Sequence, residues 1–78
     1  MTVAVELARS VDGPEVLATF VARGIAGVLE DDGLQVVVDA DDPATVGHVL
    51  DVWAGEHGLP FAAVKIGRTR WALVPPAG

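Results

Sequence analysis

The 78-residue chain reads as a two-layer α/β sandwich, and three observations carry that reading. Two corners, Val11-Asp12-Gly13-Pro14-Glu15 and Asp39-Ala40-Asp41-Asp42-Pro43-Ala44, each set an acidic or Gly cap before a proline that can open a helix. Proline loses little at the first helical position, because its missing N–H has no intrahelical partner there and its φ is already helical. Each corner is therefore a strand-to-helix junction. Alternating or continuous apolar runs precede both corners, and a closing hairpin pattern follows the second.

The elements follow in order. Val3, Val5 and Leu7 alternate with Ala4, Glu6 and Ala8, as in a half-buried strand over residues 2–9. From Pro14, the positions Val16, Leu17, Phe20, Val21, Ile25, Val28 and Leu29 recur at helical spacing and predict a first helix reaching residue 29. A competing signal sits inside it, since Arg23-Gly24-Ile25 has the form of a basic last turn, a left-handed Gly cap and its following hydrophobe. A helix stopping there turns Ala26–Glu30 into a strand that bends through Asp31-Asp32-Gly33. The longer helix is preferred because Ala26-Gly27 is poor strand material.

Leu34–Asp39, with Val36, Val37 and Val38 in succession, reads as a central strand. A second helix runs from Pro43 to about His57, with Val46, Val49, Leu50 and Trp53 as its buried stripe and Gly58-Leu59-Pro60 as its stop. Phe61–Ile66 and Thr69–Val74 form a hairpin about Gly67-Arg68. The expected order is β-α-β-α-β-β, two helices on one face of a four-stranded mixed sheet. The shorter first helix gives the alternative, a ferredoxin-like β-α-β-β-α-β unit with an extra strand. Residues 1–74 form the domain and 75–78 a tail.

A chain of this length is one domain that buries only about 60% of its unfolded surface, so its core must be dense. Its 51% apolar content supplies that core, with Phe20, Trp53, Phe61 and Trp71 as the only aromatics. Without cysteine there is no disulfide, thiolate metal site or thiol chemistry, and a cytoplasmic location is expected. No signal-peptide pattern or bilayer-length apolar run is present, so no membrane role is expected.

The net charge of −6 is unevenly spread: all eleven acids lie within residues 1–60, whereas residues 61–78 hold Lys65, Arg68 and Arg70 and no acid. An acidic body repels phosphate backbones, which argues against a nucleic-acid partner. The three cations are either solvated hairpin positions or a small docking patch for an acidic protein partner.

Chemistry-bearing constellations are sparse. Asp39-x-Asp41-Asp42 lacks the spacing of a calcium loop and suits capping of the second helix. His48 and His57, nine residues apart on one helix, point to opposite sides and cannot share a metal. Ser10 has no nucleophile-elbow context, and Gly24-x-x-Gly27 lacks the rest of a phosphate-cradling motif. No cofactor, metal or catalytic residue is assigned. Trp53 and Trp71 fall in register with core stripes and read as packing anchors.

The run Val36-Val37-Val38-Asp39-Ala40-Asp41-Asp42-Pro43-Ala44-Thr45, the aromatic Trp53, the Gly58 stop and the closing hairpin with Gly67 resemble TusA-like (SirA/YedF-type) sulfur-carrier proteins. The resemblance implies a β-α-β-α-β-β order and a Cys-Pro-x-Pro signature opening the first helix. Gly13-Pro14-Glu15-Val16 stands at that place, so Gly13 replaces the cysteine that carries the persulfide and Val16 the second proline. A member lacking that thiolate cannot carry a persulfide. What the resemblance leaves is the partner-docking surface of an adaptor beside a sulfur-relay or biosynthetic enzyme.

Two function classes follow. One is a non-catalytic interaction or accessory domain that docks through Lys65, Arg68 and Arg70. The other is a small-molecule sensing domain of ACT or ferredoxin-like type, with Asp12-Gly13-Pro14 at the effector and chains paired edge to edge as a homodimer. A first helix reaching residue 29 favours the former, and a hairpin over 26–38 the latter. An enzyme is not expected, because no acid and base are spaced to meet.

Overall fold

A computed structural model describes residues 1–76 of the chain. Its elements are β1 (Thr2–Leu7), α1 (Gly13–Ala22), β2 (Gly27–Glu30), β3 (Gln35–Asp39), α2 (Pro43–Glu56), β4 (Ala62–Gly67) and β5 (Arg70–Val74). They build the expected two-layer α/β arrangement, with α1 and α2 packed on a mixed sheet. The sheet has five strands rather than four, in the order β2-β3-β1-β5-β4. Strand β3 lies between β1 and β2, antiparallel to both. Strand β5 lies between β1 and β4, parallel to the first and antiparallel to the second. The element order is that of the alternative, β-α-β-β-α-β with an extra strand, not β-α-β-α-β-β, although the extra strand β5, and not β4, lies beside β1.

The fifth strand comes from the end of α1. The helix stops at Ala22, not near residue 29, because Gly24 takes a left-handed φ of +80° and its N–H donates to the Val21 carbonyl while that of Ile25 donates to Phe20. Ile25 then packs on the core and the chain enters β2. Gly27, the residue that argued against a strand, is what lets one form there. A Cβ at Gly27 would lie 2.9 Å from both the Val37 carbonyl oxygen and Val38 Cγ1, and 3.1 Å from Leu17 Cδ1. The strand passes so close beneath α1 that only glycine fits.

The core lies between the helices and one sheet face. Val3, Val5 and Leu7 of β1, Val36 and Val38 of β3 and Leu73 of β5 meet Val16 and Phe20 of α1 and Val46, Val49, Leu50 and Trp53 of α2. The stripe expected for α2 is buried throughout, whereas Val21 of α1 is exposed. The hairpin turn falls on Arg68-Thr69, one residue later than expected. Pro75 and Pro76 have no regular structure, and the rest of the expected tail, residues 77–78, lies outside the described residues.

Candidate functional site

The two proline corners are built differently. At the second, Asp42 caps α2 with a carboxylate that accepts from the Ala44 N–H at 3.0 Å, and Asp39 binds the Met1 ammonium at 2.8 Å. Of the Asp39-x-Asp41-Asp42 cluster only Asp42 thus caps the helix, while Asp39 holds the chain's amino group. At the first corner Asp12 makes no side-chain cap. Its carboxylate turns inward, only 3% of the residue is exposed, and both oxygens accept from Arg9, Nε at 2.8 Å and Nη2 at 2.7 Å. The paired carboxylate raises the Arg9 pKa above its ordinary value, chiefly through the hydrogen bond. Arg9 also lies over the Phe61 ring, 5.1 Å from its centroid. The sequence contains the Arg9-x-x-Asp12 spacing, yet nothing in it brings Phe61 to the same place.

Gly13, the position matched to the sulfur carriers' cysteine, is buried against the turn over Asp31–Gly33. That turn runs through left-handed residues, with φ near +52° at Asp31, +53° at Asp32 and +92° at Gly33. Short polar side chains and glycine tolerate such angles. The geometry sets the Gly33 carbonyl on Gly13, where a Cβ would collide with that oxygen and lie 3.0 Å from Gly33 Cα. The start of α1 is thus covered by the chain itself, while Pro14 lines a neighbouring surface groove with Ser10 and Leu29–Gly33. At the Asp12-Gly13-Pro14 corner Asp12 and Gly13 are buried and only Pro14 reaches the open groove.

The three C-terminal cations do not form one patch. Lys65 and Arg68 are exposed near the tip of the β4–β5 hairpin, lining a groove of about 410 Å³ with Met1 and Thr69. Neither makes an ion pair among the described residues. Arg70 sits further along β5, its Nη2 3.8 Å from Glu6 of β1.

A contact unforeseen in the sequence joins the helices at the other end. His57, just past α2, donates from Nδ1 to the Trp53 carbonyl at 2.9 Å and stacks on the Trp53 ring at 4.8 Å between centroids. Its Nε2 lies 3.8 Å from Glu15 in the first turn of α1. Both side chains are solvent-accessible, so this approach of the two helices is a loose surface contact. Trp71 bridges sheet and helix, its Nε1 donating to the Pro43 carbonyl at 2.8 Å. Among the described residues no three His, Asp or Glu side chains are grouped to hold a metal ion, and no helix is long and apolar enough to cross a membrane. Comparison with protein-family models, with curated proteins and with solved structures finds no match to this chain.

Proposed function

We propose that the chain is a non-catalytic accessory domain of the cytoplasm that docks an acidic segment of a protein partner on the tip of its β4–β5 hairpin. The observation that carries this reading is the pairing state of the cations. Arg9 is committed to Asp12, Arg70 leans on Glu6, and exposed Arg23 lines a groove with Asp39, Asp41 and Asp42, whereas Lys65 and Arg68 stand exposed, without ion pairs among the described residues, on a groove that has no acidic side chain in its lining. Two long cations beside a backbone turn can engage carboxylates without desolvating a core, which suits a reversible, salt-sensitive contact. An overall charge of −6 disfavours nucleic acid at the same place. Sulfur-relay and biosynthetic enzymes are the first partners to test, on the strength of the TusA-like run Val36–Thr45.

The test is cross-linking in host extract from a photoreactive residue placed at Thr69, followed by mass spectrometry. An acidic peptide of a single partner, lost on Lys65→Glu with Arg68→Glu and weakened by salt, supports the reading. Cross-links that persist in the double variant overturn it.

A second reading, a small-molecule sensing domain of ACT or ferredoxin-like type, draws on the β2–β3 hairpin, the feature that separates the two classes at the level of sequence. Against it stands the Gly13 corner, filled by Gly33 where an effector would enter. Thermal shift against amino acids and nucleotides distinguishes the two, since only a sensing domain gains stability from a small ligand.

A further inference from the structure

The sheet ends in two edge strands, β2 and β4, and only one of them is protected. Along β4 stand Lys65, a register shift between Lys65 and Gly67, and an Ala63 N–H that donates to the Asp51 carboxylate of α2 at 3.2 Å. Charged side chains, bulges and such covers are how soluble proteins keep sheet edges from pairing. The β2 edge, Gly27-Val28-Leu29-Glu30, has no lysine, proline or register shift. Across its ladder the Asp39 N–H donates to the Ala26 carbonyl, so alternation turns Val28 and Glu30 toward β3 and the N–H and C=O of Gly27 and Leu29 outward. These outward groups have no backbone partner among the described residues.

The helix above this edge is apolar on the same side. Leu17 rests on Gly27, whereas Glu15, on the opposite flank of α1, faces His57 beyond α2. Pro14 lies three residues before Leu17 and Val21 four after it, so the three form one stripe along the flank above β2. Pro14 is exposed, and Val21 is 56%, Val28 54% and Leu29 39% exposed. Strand and helix together offer two apolar layers at one edge.

The strand matches a second copy of itself in one antiparallel register. A two-fold axis normal to the sheet beside Val28 sets Gly27 against Leu29 of the other copy on both sides of the axis, and every outward group is paired. An axis at Gly27 requires the Ile25 N–H, which is already donated to Phe20, and an axis at Leu29 requires Asp31, which has left the strand with φ +52°. In the Val28 register the acidic exit of β2, Glu30-Asp31-Asp32, runs beside Arg23-Gly24-Ile25-Ala26 of the other copy, whose one charge is a cation. Arg23 is exposed and makes no ion pair among the described residues, although Asp39, Asp41 and Asp42 share its groove. The second layer follows from strand spacing. With strands about 4.8 Å apart, α1, which packs on both β2 and β3, stands about 5 Å from the axis, so the two helices lie about 10 Å apart, the spacing of packed helices. Pro14 of each helix then meets Val21 of the other, about a central pair of Leu17. A lone strand from another protein pairs with β2 and leaves this helical stripe open, whereas a second copy covers both layers.

We propose that two copies of this chain pair through β2, antiparallel about Val28, into one continuous sheet with α1 packed on α1. The strip is about 15 Å long and two layers deep, below the ~800 Å² per partner of a standard interface, so the dimer is weak and reversible, with an expected Kd of about 100 µM. This edge lies across the sheet from the β4–β5 hairpin, and the test needs only the purified chain, so the proposal and the function proposed above can each fail without the other. Sedimentation equilibrium up to about 1 mM is expected to show a species of twice the 8.0 kDa chain. Val21→Lys and Val28→Lys, at exposed positions, are each expected to keep the parent's circular dichroism and melting curve in dilute solution and to weaken the dimer at least about tenfold. Val64→Lys, on the β4 edge, is expected to leave it unchanged. Because the chain has no cysteine, Val28→Cys adds its sole thiol, and the register holds the two Cα atoms about 4.5 Å apart, within reach of a disulfide. Mild oxidation is expected to link Val28→Cys into a covalent dimer at least about tenfold faster than Val64→Cys. A parent chain that stays monomeric at about 1 mM overturns the proposal, as does a dimer indifferent to both Val21→Lys and Val28→Lys. Val28→Cys linking no faster than Val64→Cys overturns the axis at Val28.

Discussion

The benzo ring of Trp71 packs against Gly47, closing the gap between β5 and the middle of α2. A Cβ at position 47 would overlap Trp71 Cη2 and come within 2.6 Å of Cζ2. The ring cannot swing aside freely, because Nε1 is tied to the Pro43 carbonyl one helical turn earlier. Glycine inside a helix costs about 1 kcal/mol relative to alanine, so its presence here reflects close packing.

Gly47→Ala is accordingly expected to destabilise the domain although alanine is the better helix former. Overpacking of about 1–3 kcal/mol, together with loss of the Trp71–Pro43 hydrogen bond worth about 1 kcal/mol, outweighs the propensity gain. Urea unfolding followed by tryptophan emission checks this. A Gly47→Ala protein more stable than the parent would show that the ring moves without cost.

Gly13 makes a parallel case with a functional edge. Its φ of −53° is ordinary for any residue, so space alone excludes a side chain. Gly13→Cys, which installs the sulfur carriers' residue, is expected to cost about 1–3 kcal/mol and to yield a thiol shielded by the turn over Asp31–Gly33. Melting temperature and the rate of reaction with a disulfide reagent read the two effects separately. A stable variant with a fast-reacting thiol would mean that the turn opens readily and that this helix start can present a nucleophile.

Much of the fold was legible because its signals are local. The α2 stripe, the Asp42 cap and the β1 alternation each depend on residues within a few positions of one another, and each appears as read. The end of α1 was legible too, in Arg23-Gly24-Ile25, but two coincidences masked it. Ile25, Val28 and Leu29 fall at helical spacing although they belong to a loop and a strand. Gly27 looks like a strand breaker until Leu17 and Val38 are seen to press on it. The hidden remainder is long-range: Arg9 over Phe61, Gly33 on Gly13 and Glu15 beside His57 join segments whose approach no spacing rule encodes.

The Arg9–Asp12 pair predicts an ordering of variants. Both carboxylate oxygens are held by separate guanidinium nitrogens, and the carboxylate is buried. A lysine cannot supply that fork. Urea midpoints are expected to fall from the parent to Arg9→Lys and further to Arg9→Ala, which leaves the carboxylate unpartnered. The double variant Arg9→Ala with Asp12→Ala is expected to recover part of the loss, because removing an unpaired buried charge is favourable. A double variant no better than Arg9→Ala would show that water reaches and solvates Asp12.

Trp53 is the largest fully buried side chain, 1% exposed, and its Nε1 has no hydrogen-bond partner. Its ring contributes packing against the sheet and carries the tilted His57 ring, 4.8 Å away between centroids, while its N–H contributes nothing that offsets its desolvation. Trp53→Ala is expected to cost about 3–5 kcal/mol, enough to unfold most of a domain this small, since total stability is about 5–15 kcal/mol. Trp53→Phe retains a ring and deletes the unpartnered N–H, so its cost is expected to be far smaller. Calorimetric melting of the two variants separates the contributions: a Phe variant as damaged as the Ala variant would assign the stability of this site to the indole N–H, and to a partner that it finds in solution.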